Sequence, residues 1–335
     1  MSHDQEAVKR SLELHILPNR EEMGKAAARE VSSAMKGIIQ EKGEVKMAFA
    51  AAPSQNEFLA HLSKTKDINW AKVICFHLDD YVELPRFHPN TFETYLKEHL
   101  FDQVRPQAVY FLKALKGEGE QVARQYAALL RQCGGLDIAC LGIGENGHIA
   151  FNEPGSKIDD SEMVRLITID ARSVRQQFRD YKDHPNPQAR YPSLAAVPRR
   201  AITLTIPAIL SAKEIYAIVS GPRKADAVRK MWEGPVSSAC PSSSLRLHPC
   251  VRIYLDRDSA AKLRKVPRSD HPLRSRAHSL VRARRPRTRP PQKPIGGLRQ
   301  LGPTTPSSPR SSTPEVAQEP AGPAREIAPG LPGGI

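Results

Sequence analysis

Leu136-Asp-Ile-Ala-Cys-Leu-Gly-Ile143 runs directly into Gly144-Glu-Asn-Gly-His148-Ile-Ala-Phe-Asn-Glu153-Pro-Gly155. The first run is almost wholly apolar, too short for a helical pattern and stopped by glycine. It reads as a strand buried on both faces. The segment before it carries Val122, Tyr126, Leu129 and Cys133 at helical spacing and ends in Gly134-Gly135, which reads as a helix delivering the chain to that strand. Outward from this pair the same alternation recurs. Val45–Ala52, Val73–Leu78, Ile215–Val219 and Val251–Leu255 are further apolar runs, and Ala108–Leu112 is a weaker one. Helical stretches stand between them. One runs from Arg20 to Lys42, with Met23, Ala27, Val31, Ala34 and Ile38 inward and Gly43 as its stop. Others are led by Ser54, opened by Pro89 with Phe92, Tyr95, Leu96, His99 and Leu100 on one face, and placed after Gly221-Pro222 with Val228, Met231 and Trp232 inward. Strands alternating with helices predict an α/β fold, a mostly parallel sheet covered on both faces. Val164–Ile169 and Ala201–Ile206 alternate more strictly, and are expected to lie differently.

Composition sets the boundaries. The net charge of +14 in 335 residues is concentrated: residues 262–335 hold 15 Lys/Arg against 4 Asp/Glu, while residues 1–261 hold 35 against 32. The same tail has 14 of the 29 prolines and 7 of the 20 glycines, and is expected to be disordered. Residues 1–19 read as a polar lead, and residues 20–261 as one domain with its first strand at Val45. No apolar run approaches the ~18 residues of a membrane span, and the start lacks an apolar signal region. The five cysteines contain no C-x-x-C and several lie in apolar stretches, which reads as reduced thiols of a cytoplasmic protein.

Ligands of an open parallel sheet bind at the carboxyl ends of its strands. Four such ends here deliver Ser54-Gln55, Asp79-Asp80, the segment from Gly144 to Gly155, and Gly221-Pro-Arg-Lys224. A hydroxyl, carboxylates, a histidine–glutamate pair and a lysine suit acid/base chemistry on a polar, anionic small molecule. Asp79-Asp80 also reads as a turn cap, although two adjacent carboxylates repel and favour a function for one of them. His148 among small neighbours reads by default as a structural histidine; Gly142, Gly144 and Gly147 shift that reading, because they suggest a backbone close to a ligand. Gly142-x-Gly144-x-x-Gly147 mimics a dinucleotide fingerprint, but no helical pattern follows it, so no such cofactor is expected. His77 with Asp79 does not make a metal site, and no metal is expected.

His77-Leu-Asp-Asp-Tyr-Val-Glu-Leu-Pro85 with His88-Pro89, and Gly142–Gly155, resemble the glucosamine-6-phosphate deaminase/isomerase family. The resemblance continues through Leu204–Leu210, Gly221–Lys224 and Glu233–Pro249, over roughly residues 20–258. It implies a Rossmann-like fold and a cofactor-free conversion of glucosamine 6-phosphate, or a related amino sugar phosphate, to fructose 6-phosphate and ammonia. By that resemblance Asp79 is the base between C2 and C1, His148 assists ring opening, and Glu153 and Asn146 complete the catalytic group. Ser54, Gln55, Asp80, Gly147 and Lys224 fall at substrate- or phosphate-binding positions.

Three departures stand out. Ala50-Ala-Ala-Pro-Ser-Gln55 replaces a glycine-rich phosphate loop, and Pro53 removes a backbone donor. Asn146 stands where many members have an aspartate. Gln177 falls at a phosphate-binding arginine, for which Arg172, Arg175 or Arg179 are candidate substitutes. The rival readings are a phosphosugar lactonase, against which the Phe151–Pro154 segment speaks, and a non-catalytic sugar-phosphate sensor. Regulators of the latter kind usually carry a helix-turn-helix before the sensor, for which one helix and a polar lead leave no room. The expected partner is a small sugar phosphate, with self-association also expected. The tail has no aromatics for base stacking, so nucleic-acid binding through Arg282–Arg289 is not expected.

Overall fold

The apolar runs become strands of one sheet, all but the weak Ala108–Leu112 run hydrogen-bonded on both sides, in a computed structural model that describes residues 11–264. In chain order these are β1 (Ser11–Leu17), β2 (Val45–Phe49), β3 (Val73–His77), β4 (Asp79–Tyr81), β5 (Ala108–Tyr110), β6 (Ile138–Leu141), β7 (Val164–Thr168), β8 (Arg200–Leu204), β9 (Glu214–Val219) and β10 (Cys250–Asp256). The helices are α1 (Arg20–Lys42), α2 (Asn56–Ser63), α3 (Phe92–Leu96), α4 (Asp102–Val104), α5 (Glu120–Gln132), α6 (Ala171–Tyr181), α7 (Ile206–Leu210) and α8 (Ala225–Glu233). Seven strands form one sheet in the order β1-β10-β9-β6-β2-β3-β5, and every pairing in it is parallel.

Alternation along β2 shows why both faces need helices. Val45, Met47 and Phe49 enter one apolar cluster with Met23, Val31 and Met35 of α1 and Phe58 of α2. Ala48 enters the other, with Tyr126 of α5, Ile209 of α7 and Val228 and Met231 of α8. Trp232 packs on that second cluster while half-buried. Each fully buried large side chain stabilises the fold by about 1.5–3 kcal/mol. Cys75, Cys140 and Cys240 are buried, Cys133 and Cys250 half-buried, and all five are free thiols.

The polar lead is corrected by β1, which pairs in parallel with β10 from Ser11↔Cys250 to Leu17↔Asp256. Leu12, Leu14 and Ile16 pack on the second cluster, while Glu13 and His15 belong to the opposite face. This is the alternation of an edge strand, which the search for continuous apolar runs passed over. Glu13, His15 and Glu30 approach one another within 4.8 Å. The Arg252 guanidinium, 3.7 Å from both glutamates, already supplies the positive charge there.

Helix α3 starts later than Pro89 because Thr91 caps it, its hydroxyl accepting from Thr94 N–H at 3.2 Å. The two alternating segments, β7 and β8, lie apart from the main sheet as expected. With β4 they form a three-stranded antiparallel sheet in the order β4-β8-β7. Among the described residues no helix is long and apolar enough to cross a membrane. The expected disordered tail beyond residue 264 lies outside the described residues.

Candidate active site

Because β2, β6 and β9 are neighbours, the segments leaving their carboxyl ends converge. The fourth contributor changes sheets. Leu78 N–H still donates to Phe49 O of the main sheet at 3.1 Å, and the next residue, Asp79, already pairs with Thr203 of β8. Asp79 thereby faces an inner cavity of about 60 Å³, lined also by His148, Gly144, Phe92, Phe151 and Gln177. An outer cavity of about 340 Å³ carries Arg20, Ser54, Glu145, Asp180, Arg223 and Lys224. Ser54, Gln176 and Lys224 line both, so the two cavities adjoin.

His148 is held from behind. Its Nδ1 lies 3.0 Å from Ser173 Oγ and 3.3 Å from Glu153 Oε2. Asn146 ties the group together: its Nδ2 donates to Glu153 Oε2 at 2.7 Å and to Ser173 Oγ at 3.4 Å, and its Oδ1 accepts from His148 N–H at 3.1 Å. Burial alone would raise the Glu153 carboxyl. The hydrogen bond and charge of His148, with the contacts of Ser173 and Asn146, outweigh burial and hold it below the usual range. The ring also folds back on Gly144, where a Cβ would fall 2.2 Å from the imidazole. The loop is fixed to the small sheet as well, since Phe151 N–H donates to Thr203 Oγ1 at 3.1 Å and Asn152 Nδ2 to Leu204 O at 2.7 Å.

Asp79 is only 5% exposed. Burial first, then the neighbouring Asp80 and Glu153 carboxylates, push it well above the ordinary carboxylate range. A buried carboxylate sharing a cavity with an imidazole that has its own carboxylate support has the chemistry to move protons between adjacent atoms of a polar ligand. Lys224 contributes the cation at the far side. Burial, against the opposing pull of Asp180 and Glu145, brings it down to about 8.

A family model for glucosamine-6-phosphate isomerases and 6-phosphogluconolactonases matches residues 18–177 and 181–252. The chain belongs to this family. Within it, a glucosamine-6-phosphate deaminase of Exiguobacterium sibiricum is 39% identical over 191 residues, covering 57% of this chain and 71% of that one. One of Halothermothrix orenii is 32% identical over 251 residues, covering 74% and 98%. A solved monomeric glucosamine-6-phosphate deaminase superposes with a TM-score of 0.67 at 29% identity, over 75% of this chain and all of the other. A 6-phosphogluconolactonase of Shewanella baltica gives 0.58 at 17% identity, over 74% and 98%, and shares the fold.

Against the family pattern, Asp79, His148, Ser54 and Lys224 line these adjoining cavities, whereas Glu153 and Asn146 stand behind His148. Three expected binding residues line neither cavity. Asp80 points to the other side of β4, where its carboxylate accepts from Tyr81, Phe92 and Glu93 N–H at 2.8, 3.1 and 3.2 Å. It is a buried cap of α3, and burial against those donors pushes it up to about 7. Gln55 is also buried: its amide donates to Ile218 O at 3.0 Å and to Ser54 Oγ at 3.2 Å, so it braces Ser54. Gly147, at φ +92°, turns the loop against Cys240, whose Sγ a Cβ would approach to 2.9 Å. The glycines thus make room for neighbouring side chains. His77 is remote in chemistry: its Nε2 accepts from Leu112 N–H at 2.9 Å, and burial takes its ring down to about 3.

Ser173 was missed by sequence reasoning, because a serine within an amphipathic helix carries no local signal of its partner 25 residues away. Ser173→Ala is expected to lower kcat/KM about fivefold, the worth of one ordinary hydrogen bond. It should also displace the pH–rate profile, because Glu153 becomes the main remaining partner of Nδ1. A profile superimposable on that of the wild type would show that the serine does not act on the imidazole.

Proposed function

We propose that this chain is an enzyme, a deaminating aldose–ketose isomerase that takes glucosamine 6-phosphate or a closely related amino sugar phosphate, with water, to fructose 6-phosphate and ammonia. The observation that carries the reading is the joint placement of Asp79 and carboxylate-supported His148 on one small cavity that opens toward Lys224. His148 moves the proton between the anomeric hydroxyl and the ring oxygen as the C1–O bond to the ring breaks. Asp79 takes the proton from C2 and returns it to C1, so the C1 carbonyl is reduced to an alcohol as C2 is oxidised to an imine. Water then adds to C2 and ammonia leaves, which balances the reaction without an external oxidant or reductant. Glu153 and Asn146 keep the imidazole oriented, and Asn146 leaves Glu153 a donor where an aspartate would bring a second carboxylate to 2.7 Å. Ser54 and Lys224 face the phosphate.

The test is release of ammonia and fructose 6-phosphate in equal amounts from glucosamine 6-phosphate. A parallel assay on 6-phosphogluconolactone addresses the lactonase reading, which requires hydrolysis without ammonia. Sugar-phosphate binding without turnover of either compound would favour the sensor.

A further inference from the structure

Among the donors that line the outer cavity, Ser220 and Arg223 included, three from separate elements keep hydrogens that the protein leaves available. Ser54 Oγ accepts from Gln55 Nε2 and retains its own proton. The Lys224 ammonium makes no hydrogen bond or ion pair among the described residues. The third is Arg20, from the first turn of α1. Its Nε and Nη2 are held by the two oxygens of Glu57 at 2.9 Å each, and Nη2 also donates to Pro53 O at 2.7 Å. Nη1 has no hydrogen-bond partner among the described residues, and Arg20 lines the cavity together with Ser54 and Lys224.

The clamp is built into the packing of α1 on α2. One helical turn beyond Arg20, a Cβ on Gly24 would fall 2.6 Å from Glu57 Cβ, so glycine there lets the two helices approach and Glu57 reach Arg20. Through Pro53 O the same guanidinium fastens the turn Pro53–Gln55 that carries Ser54. The arginines closer to Gln177 do not serve this cavity. Arg172 and Arg175 are exposed and line neither cavity, and Arg179 is ion-paired with Glu145. Gln177 itself lines only the inner cavity and is uncharged.

We propose that Arg20, with Lys224 and Ser54, grips the phosphate monoester of the substrate, taking the part for which position 177 has no arginine. The inference rests on the sugar-phosphate reading above and names the residue that sets its preference for a phosphorylated substrate. Of the two acids on the cavity wall, Glu145 is ion-paired with Arg179, and burial pushes the Asp180 carboxyl above its ordinary range while Lys224 pulls it back down.

Kinetics on glucosamine 6-phosphate, with calorimetric titration of inorganic phosphate and fructose 6-phosphate, would compare the wild type with Arg20→Ala and Arg20→Lys. Arg20→Ala is expected to raise KM and both dissociation constants about 10- to 100-fold, the loss of a charge-assisted contact, with kcat within about threefold. Arg20→Lys should recover part of that loss by restoring the charge. A fructose 6-phosphate affinity in Arg20→Ala within about twofold of the wild type overturns the proposal. Should Arg20→Ala fail to fold, Arg20→Lys decides: a raised KM in folded protein sustains the grip, and an unchanged KM overturns it. The titrations need no turnover. Phosphate binding that depends on Arg20 in a protein releasing no ammonia keeps the grip and removes the deaminase reading; ammonia release indifferent to Arg20 does the reverse.

Discussion

Asp79→Asn should reduce turnover of glucosamine 6-phosphate about 10³-fold or more while raising the melting temperature. The amide retains the size and the acceptor oxygen that faces Phe151 N–H, but cannot accept the C2 proton. Its effect on stability has the opposite sign. In the wild type, burial and the Asp80 and Glu153 carboxylates make ionisation of Asp79 costly in the folded state, so its folded pKa lies well above the ordinary 3.8. Below about 3.8 the group is protonated in both folded and unfolded chains and imposes no penalty. As pH rises from there through the elevated folded value, the unfolded chain ionises first and the fold loses stability. The asparagine variant escapes this, so its advantage should be absent in acid, grow across that interval and remain at neutral pH. Each kcal/mol regained appears as about 2–4 °C in a domain of this size. Thermal melts at pH 3.5 and pH 8, paired with an ammonia assay, separate the two effects. Appreciable turnover would remove Asp79 as the base; a melting temperature unchanged at pH 8 would show that the buried charge is compensated elsewhere.

The same physics decides what could be read in the sequence. The strands β2, β3, β6 and β9 are buried on both faces, so their composition alone marks them. Edge strand β1 presents Leu12, Leu14 and Ile16 to one side only, and its interleaved Glu13 and His15 disguise it as a polar lead. Asp79 and His148 were legible because a strand end places them on the rim and because their motifs resemble a family. Asp80 was not: whether a carboxylate at a strand end faces substrate or caps a helix depends on which way one residue of a two-residue repeat points. Arg20 was legible only as part of a helix. Its partners Pro53 and Glu57 lie 33 and 37 residues away and meet it through the packing of α1 on α2, for which the sequence offers at most the small residue Gly24.

Gly144 gives the sharpest case, because its apparent purpose and its actual contact differ. Gly144→Ala should lower kcat about 10²-fold, approaching the loss in His148→Ala. The added Cβ would lie 2.2 Å from Cε1 and Nε2 of His148 and 2.4 Å from Cδ2, whereas real Cβ atoms essentially never come within 3.0 Å. The backbone at Gly144 does not adopt a positive φ, so alanine is tolerated by the chain itself. The conflict therefore falls on the ring. Gly144 N–H donates to His148 O at 2.8 Å, which keeps the two residues apposed and leaves little room for the backbone to yield. The imidazole must shift by about an ångström out of its present geometry with Ser173 and Glu153, and misplacement of that size is enough to cost about two orders of magnitude. If glycine were needed instead for a ligand approaching the backbone, the same variant would raise KM and leave the imidazole signals in place. Histidine-selective NMR of the folded variant beside its kinetics separates these outcomes. A displaced His148 resonance with a kcat defect near that of His148→Ala assigns the glycine to the catalytic ring; an undisturbed resonance with a raised KM returns it to the substrate.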